Sequence, residues 1–225
     1  MQAAADNRQN NKYKGLLITL EGIEGSGKTS HIKAITAFLS AQGLKTVVTR
    51  EPGGTPVAER IRELLLAGDD EQETLTPQTE TLLFYAARSQ HINHFIKPNL
   101  AQGVAVISDR FVDSSYAYQQ AGRTIDLLHL DYLTSWIVAD CLPDISFIFD
   151  LPVEQAMQRI RNRPLDRIER EHISFHQRVR QAYLDRAREQ PGYYCIINAA
   201  QHQDKVKADI IHQLNLYLQA RYALA

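Results

Sequence analysis

Gly22-Ile23-Glu24-Gly25-Ser26-Gly27-Lys28-Thr29 lies between a short apolar run and an amphipathic segment. It fits G-x-x-x-x-G-K-S/T, in which a glycine-rich turn wraps its backbone N–H groups around phosphates. Residues 15–20, before it, are typical of a buried strand, and residues 30–39, after it, carry apolar side chains at helical spacing. The pattern therefore predicts a phosphate-binding loop (P-loop) between a strand and a helix.

Each residue type in this loop suits a polyphosphate. The glycines allow close approach and positive φ, and the following helix directs its N-terminus at the anion. We expect Lys28 to reach the β- and γ-phosphates and the Thr29 hydroxyl to bind Mg²⁺. The predicted cofactor is Mg²⁺, with the whole loop from Gly22 to Thr29 holding ATP as the phosphoryl donor.

Composition restricts the class of protein. The chain has 225 residues and a net charge of −1, which predicts neither nucleic-acid nor membrane binding. We expect a disordered tail over residues 1–14 and one domain over residues 15–225. Cys141 and Cys195 are expected to be buried, reduced thiols. With no signal peptide and no run long enough to cross a bilayer, the expected location is cytoplasmic.

Short β-branched runs alternate with helical patterns along the chain. Strands are predicted at 15–20, 45–49, 104–108, 145–150 and 194–197. Helices are predicted at 30–42, 57–66, 76–98 (ending at Pro98), 114–120, 126–139, 153–161, 171–189 and 203–218. This alternation predicts an α/β protein with the three-layer P-loop NTPase fold, a central five-stranded parallel sheet flanked by helices.

Charged residues follow several of these strands. In a parallel sheet, ligands bind at the carboxyl ends of the strands, so Arg50, Glu51, Asp109, Arg110 and Asp150 should converge with the P-loop on one cleft. Asp109 is placed like the acidic residue that holds Mg²⁺ or its water. Asp150 has the same local appearance, and periodicity does not choose between the two.

Arginines are unusually frequent near the predicted cleft. Arg50, Arg88, Arg110 and Arg123 fall in loops or on cleft-facing helices, which suits a second phosphorylated substrate. The segment at about 159–171 crowds arginines onto a connection that we interpret as a mobile lid closing over ATP. A nucleic-acid site would need interleaved aromatics and a basic total charge, and the chain has neither.

Other polar and aromatic residues give weaker indications. Two histidine pairs have helical spacing but no third metal ligand nearby, so we expect them on the solvated surface: His91, His94, His172 and His176. Trp136 and the apolar residues after it suggest either core or a subunit contact.

Five motifs together resemble the thymidylate (dTMP) kinase family over about residues 16–190. They are Glu21-Gly-Ile-Glu-Gly-Ser-Gly-Lys-Thr29, Thr49-Arg-Glu-Pro-Gly-Gly54, Leu83-Phe-Tyr-Ala-Ala-Arg88, Ser108-Asp-Arg-Phe111 with Ser114-Ser115 and Tyr118-Gln119, and Leu165-Asp-Arg-Ile-Glu169. The resemblance implies transfer of the γ-phosphoryl group of Mg-ATP to dTMP, which gives dTDP and ADP in dTTP biosynthesis.

The same resemblance implies a thymine pocket. Phe84 would stack on the base, Arg88 would hydrogen-bond it, and Ser115 would contact its polar edge. Tyr118 would lie near the sugar 2′ position and disfavour ribonucleotides, with Gln119 beside it among the dTMP contacts. On helical spacing alone, Phe84 would be read as core.

Further roles follow from the resemblance. Arg50 and Arg110 would hold the monophosphate, and Glu24 would lie near the 3′-hydroxyl and the attacking phosphate. Because the P-loop has no arginine, the chain is similar to family members whose catalytic arginine is in the lid. The family also forms homodimers through helices, and the helix around Trp136 is a candidate.

The sequence does not decide which arginine of the lid is the catalytic one, because Arg163 is followed by Pro164 where the family commonly has glycine. Arg163 is our choice, with Arg161 the alternative and Arg167 a further candidate. Two other functions stay open. One is a kinase for another nucleoside monophosphate, and the other is a regulatory ATPase that acts through a partner protein.

Overall fold

The structure, a computed structural model, describes residues 13–67 and 73–223. Its strands are β1 (Leu16–Glu21), β2 (Thr46–Arg50), β3 (Ala105–Asp109), β4 (Ile145–Asp150) and β5 (Tyr194–Asn198). They form one sheet in the order β2-β3-β1-β4-β5, and every neighbouring pair is parallel. The predicted five-stranded parallel sheet is confirmed. Most of the predicted tail and residues 68–72 lie outside the described ranges.

Helices connect the strands. They are α1 (Lys28–Ala41), α2 (Pro56–Leu66), α3 (Pro77–His91), α4 (Lys97–Ala101), α5 (Val112–Ser115), α6 (Leu127–Ile137), α7 (Val153–Ile160), α8 (Ile173–Glu189) and α9 (Gln203–Ala223), with π-helices π1 (Ile92–Ile96) and π2 (Tyr116–Gly122). Thr55 and Thr76 start α2 and α3 as N-caps, each followed by proline at the first helical position. A hydroxyl that accepts an orphan N–H makes threonine effective there.

The core lies on both faces of the sheet. Every residue of β1 is buried, and successive side chains alternate in direction. Ile18 and Leu20 therefore pack with Ile35 of α1 on one face. Leu17 packs with Tyr85 of α3 on the other. Helices on both faces confirm the predicted three-layer architecture and bring the carboxyl ends of the central strands to one edge.

Two sequence expectations about the helical segments were wrong in part, and one of two alternatives for a third is excluded. The long helix does not end at Pro98, because the chain passes through π1 into α4, where Pro98 occupies the first turn and needs no N–H partner. His91 and His176 are buried rather than solvated. Trp136 is 70% exposed, which excludes the core interpretation for its side chain.

Both cysteines are free; Cys141 is buried and Cys195 is partly buried. Burial raises the pKa of Cys141 to about 12 and that of Cys195 to about 11. Among the described residues, no helix combines the length and the apolar character that a bilayer crossing needs.

Candidate active site

The P-loop leaves the carboxyl end of β1 and turns into α1. Gly22 has φ 132°, and a Cβ there would lie 2.6 Å from the carbonyl oxygen of Phe149. Gly27 caps α1 with φ 91°. Lys28 is buried, and its Nζ donates to the carbonyl oxygens of Gly22 and Ile23 at 3.0 Å each. The loop therefore closes around its own lysine, and burial followed by the charge of Arg110 lowers the pKa of Lys28.

The acidic residue beside the P-loop is Asp109. Thr29 Oγ1 donates to Asp109 Oδ2 at 2.8 Å. Asp150 instead accepts two hydrogen bonds from Arg180, at 2.7 and 3.1 Å. The hydroxyl and free carboxylate oxygens of Thr29 and Asp109 fit Mg²⁺, which takes few protein oxygens and completes its shell with water and phosphate. The structure thus separates two aspartates that the sequence left equivalent.

A cavity opens over the P-loop. It is lined by Glu24 to His31 and by Arg159, Ile160, Ala199, Gln201, Gln203 and Val206. Arg159, in the last turn of α7, donates to the carbonyl oxygens of Gly25 and Ala199 at 3.3 and 3.0 Å. Sequence reasoning missed Arg159 as a separate candidate because it treated the arginines of residues 159–167 as one mobile group. Its position inside a predicted helix was the available signal.

A second cavity, of about 540 Å³, lies between α2, α3, π2 and the lid. Its lining residues are Glu24, Glu51, Pro52, Arg62, Leu66, Phe84, Arg88, Arg110, Ser114, Tyr118, Gln119, Asp166, Ile168 and Glu169. Five of the predicted dTMP residues besides Glu24 are in this set. Glu24 lines both cavities, so the two meet at the P-loop.

Arg88 is a fully buried cation at the floor of the second cavity. Its Nε donates to Glu51 at 2.7 Å, and its two terminal nitrogens donate to Ser115 Oγ at 2.8 Å and the Phe111 carbonyl oxygen at 3.0 Å. His91 Nδ1 lies 3.0 Å from the other Glu51 oxygen. Burial opposes ionisation of Glu51, but Arg88 and His91 hold its pKa below the usual range.

Arg110 lies where the two cavities meet. One terminal nitrogen donates to Glu24 at 2.7 Å and to Tyr118 Oη at 3.1 Å, and the guanidinium lies 4.9 Å from the Tyr118 ring centre. Burial opposes ionisation of Glu24, yet Lys28 and Arg110 keep its pKa below the usual range. Two cations and one anion therefore stand at the junction, an arrangement suited to anionic ligands on both sides.

The backbone of Arg110 is left-handed, with φ 72°. This conformation costs a non-glycine residue about 1–2 kcal/mol. Ser108 Oγ donates to the Arg110 carbonyl oxygen at 2.7 Å, and the Arg110 N–H donates to the Leu20 carbonyl oxygen at 2.9 Å. Strain held by surrounding contacts is common at functional sites.

Some predicted residues lie elsewhere. Arg50 pairs with Glu59 at 2.8 Å and is not among the cavity-lining residues, whereas Arg62 is. Ser115 reaches the second cavity only through Arg88. Arg123 does not line it either, since its guanidinium is engaged by Glu80 and Glu171.

The segment that the sequence predicts as a lid connects α7 to α8, and Asp166, Ile168 and Glu169 of this segment line the second cavity. Arg163 pairs with the buried Glu169, and Arg161 is exposed. Arg167 donates to Glu80 at 2.7 Å and to the Leu65 carbonyl oxygen at 3.1 Å. Of the three lid candidates, Arg167 is thus held on the side away from the P-loop cavity, while the Arg163 charge acts on Glu24.

Sequence reasoning missed the acidic partners. Glu51 and Glu80 are buried and bind the site arginines. The sequence placed Glu51 at the cleft by its position after a strand, but it assigned neither acid an arginine partner. The Glu51 position within the Thr49-Arg-Glu-Pro-Gly-Gly54 motif was the one available signal; Glu80 offered none.

Comparisons with known proteins all lead to one family. A family model described as thymidylate kinase matches residues 20–210. The thymidylate kinase of Pseudomonas entomophila (strain L48) is 49% identical over 83% of this chain and 89% of its own length. That of Ectopseudomonas mendocina (strain ymp) is 46% identical over 92% and 98%. The crystal structure of thymidylate kinase from Ehrlichia chaffeensis superposes with a TM-score of 0.71 at 34% identity, over 89% of this chain and 98% of that one.

Proposed function

Since the chain belongs to the thymidylate kinase family, it phosphorylates dTMP to dTDP with ATP as the donor, and we propose that its two cavities hold the two substrates. ATP occupies the cavity over the P-loop, and dTMP occupies the cavity under the lid. The observation that carries this assignment is that Glu24 lines both, so donor and acceptor phosphates meet beside Glu24 and Arg110.

Thymine recognition is assigned to the floor of the second cavity. Arg88, which Glu51 already orients, presents an N–H donor to the base. Ser115 holds the other side of the Arg88 guanidinium. A thymine carbonyl accepts from such a donor, whereas the cytosine amino group at that position does not. Phe84, one helical turn before Arg88, stacks on the ring. Tyr118 and Gln119 close the pocket from π2, near the sugar.

Phosphoryl transfer needs positioning and charge neutralisation more than a base. A dTMP phosphate oxygen forms a bond to the γ-phosphorus while the bond from that phosphorus to the β–γ bridging oxygen breaks, and ADP leaves with that oxygen. Lys28 holds the β- and γ-phosphates, and Arg110 holds the acceptor phosphate. Arg163, released from Glu169, neutralises the transferring group, with Arg161 as the alternative.

Thr29 and Asp109 would hold Mg²⁺, and when bound the ion supplies charge neutralisation on the β- and γ-phosphate oxygens. Arg50, whose guanidinium now pairs with the exposed Glu59, swings to the dTMP phosphate when that anion enters. Both assignments rest on the chemistry of the donor groups and on the family resemblance.

The chain is further proposed to be a cytoplasmic homodimer. Four large apolar side chains of α6 and its start are exposed, and none has a role in the two cavities: Leu127, Leu128, Tyr132 and Trp136. A contiguous apolar patch of this kind supports an interface with a second copy. A cytoplasmic location suits an enzyme whose substrates are nucleotides. A single domain with a lid at about 159–171 remains part of this proposal.

The test is ADP production from Mg-ATP with dTMP, dUMP, UMP, dCMP, dGMP and dAMP offered one at a time. We expect the strongest stimulation by dTMP, weaker stimulation by dUMP, and little by the others. Ser115→Ala should narrow the preference for dTMP over dCMP, because Arg88 loses the partner that orients it. Another preferred acceptor would overturn the base-pocket assignment, and slow ADP release without any acceptor dependence would overturn the kinase reaction.

A further inference from the structure

Glu21, the last residue of β1, has no role in the assignments above. Its side chain is fully buried and lines neither cavity. Oε1 accepts the backbone N–H of Phe111 at 2.7 Å. Oε2 accepts from the hydroxyls of Ser114 and Tyr183, at 2.7 and 3.0 Å. One carboxylate thus connects β1 with α5, with α8 and with the turn after β3.

The same two hydroxyls contact Arg110. One of its terminal nitrogens donates to Ser114 Oγ and to Tyr183 Oη, both at 3.2 Å. A hydroxyl has a single hydrogen, so one that donates to Glu21 has only lone pairs to offer elsewhere. The two oxygens lie 2.8 Å apart, and both lie within hydrogen-bond distance of the same carboxylate oxygen. The carboxylate therefore makes both hydroxyls acceptors for the guanidinium.

Glu21 also acts on the backbone beside Arg110. The N–H that it binds belongs to Phe111, the residue directly after the left-handed Arg110. This hydrogen bond holds the chain where it leaves the strained conformation. The opposite terminal nitrogen of Arg110 is the one that meets Glu24 and Tyr118 at the cavity junction. Glu21 thus fixes one side of the guanidinium while the other side faces the junction of the two cavities.

We propose that Glu21 is a positioning residue for the reaction, which acts through the Ser114 and Tyr183 hydroxyls and the Phe111 N–H to aim Arg110 at the acceptor phosphate. The proposal rests on the proposed role of Arg110 in holding that phosphate. The proposed role differs from that of a buried charge that only stabilises the fold, because it predicts a selective effect on KM for dTMP.

Asp113, which precedes Ser114 on α5, provides a matched control. Its side chain is also buried, and it accepts hydrogen bonds from Arg186 at 2.7 and 2.9 Å and from Tyr194 Oη at 2.7 Å. None of these three residues lines either cavity. Asp113→Asn therefore removes a buried carboxylate while the hydrogen bonds of Glu21 to Ser114 and Tyr183 stay in place, and the loss of a neighbouring negative charge favours the ionised form of Glu21 that accepts them.

The experiment is steady-state kinetics with each substrate varied in turn. Glu21→Gln places an amide donor where the hydroxyls need an acceptor, so we expect KM for dTMP to rise about tenfold. KM for ATP should stay within about twofold, since the P-loop contacts of ATP do not involve Glu21. Tyr183→Phe should raise KM for dTMP by about threefold, and the double variant should be no worse than Glu21→Gln, because both changes break one relay.

Three controls make the result decisive. Arg110→Lys must raise KM for dTMP; if it does not, the assignment of Arg110 in the proposed function fails. If Arg110→Lys raises KM for dTMP but a folded Glu21→Gln does not raise it selectively, the positioning role is overturned. The role is also overturned if Asp113→Asn and Glu21→Gln have equal effects on KM for dTMP. Should Glu21→Gln fail to fold, Ser114→Ala and Tyr183→Phe decide: a selective rise in KM for dTMP supports the proposal, and an unchanged KM overturns it.

Discussion

Glu80→Gln tests the contact that joins the lid to the second cavity. Glu80 lies in the first turns of α3, with its side chain 1% exposed. Its carboxylate accepts from Gln119 at 2.9 Å, from Arg123 at 3.2 Å and from Arg167 at 2.7 Å. Three segments, π2, the turn after it and the lid, thus share one buried acceptor. Burial opposes its ionisation, yet Arg123, Gln119 and Arg167 hold the pKa of Glu80 below its usual range.

The contacts of Glu80 determine how much free energy of unfolding the substitution should remove. Removing one partner of a buried ion pair costs roughly 3–5 kcal/mol. The side chains of Arg123 and Arg167 keep 14% and 9% exposure, and glutamine retains one acceptor oxygen, so we expect the free energy of unfolding to fall by about 2–3 kcal/mol. In a chain of this length that corresponds to a decrease in Tm of roughly 4–12 °C.

Urea unfolding followed by circular dichroism at pH 7.5 measures this loss, with Asp185→Asn as the control. Asp185 pairs with Arg188 on the surface, where the side chains are 50% and 67% exposed, so that variant should change the free energy by less than about 0.5 kcal/mol. Equal stability of the two variants would refute the reasoning. A change confined to the m-value would refute the reasoning as well, because the substitution would then have altered the compactness of the unfolded or the folded state and not the Glu80 contact.

Three further predictions concern the lid, pH and assembly. Arg163→Ala should lower kcat by about 10³-fold with little change in KM for dTMP, measured in single-turnover assays; a larger loss in Arg161→Ala would move the role to Arg161. Burial and the charge of the nearby Asp113 raise the pKa of Glu21 to about 7, so the folded protein holds this proton more tightly than the unfolded chain. The contribution of Glu21 to the free energy of unfolding is therefore complete below pH 4.5 and falls by about 3 kcal/mol as pH rises through 7. Glu21→Gln should remove that part of the pH dependence. An unchanged slope of the free energy of unfolding against pH would contradict this prediction. Leu128→Lys, on the exposed apolar patch, should give a monomer by light scattering, and a persisting dimer would place the interface elsewhere.

Local pattern was sufficient for the sheet and the P-loop. A strand buried on both faces needs a continuous apolar run, and a phosphate-binding turn needs glycines at fixed offsets before its lysine. Residues 15–20 and Gly22 to Thr29 satisfy both within 15 positions, so neighbours in sequence decide the outcome. Parallel order then brings Asp109 and Arg110 to the same edge without knowledge of side-chain contacts.

Local sequence pattern could not predict the contacts between residues that are distant along the chain. Arg88 meets Glu51 across 37 positions, and Arg167 meets Glu80 across 87. Nothing local marks an acid as the partner of one particular arginine. His91 illustrates the same limit, since its burial follows from Glu51 and from Thr49 Oγ1, 2.7 Å from its Nε2. The sequence showed only a polar residue on a helix.

The π-helix at Tyr116–Gly122 makes the active site sensitive to chain length as well as to residue type. The N–H of Arg123 reaches the carbonyl oxygen of Tyr118, five positions back, so this turn holds one residue more than an α-helix would. Each residue in an α-helix advances the chain by about 100°. Losing a single codon here would therefore rotate Gln119 and Arg123 away from Glu80 while leaving every side chain chemically intact. Substitution scans cannot reveal such a dependence, whereas single-residue deletions and insertions within this turn would.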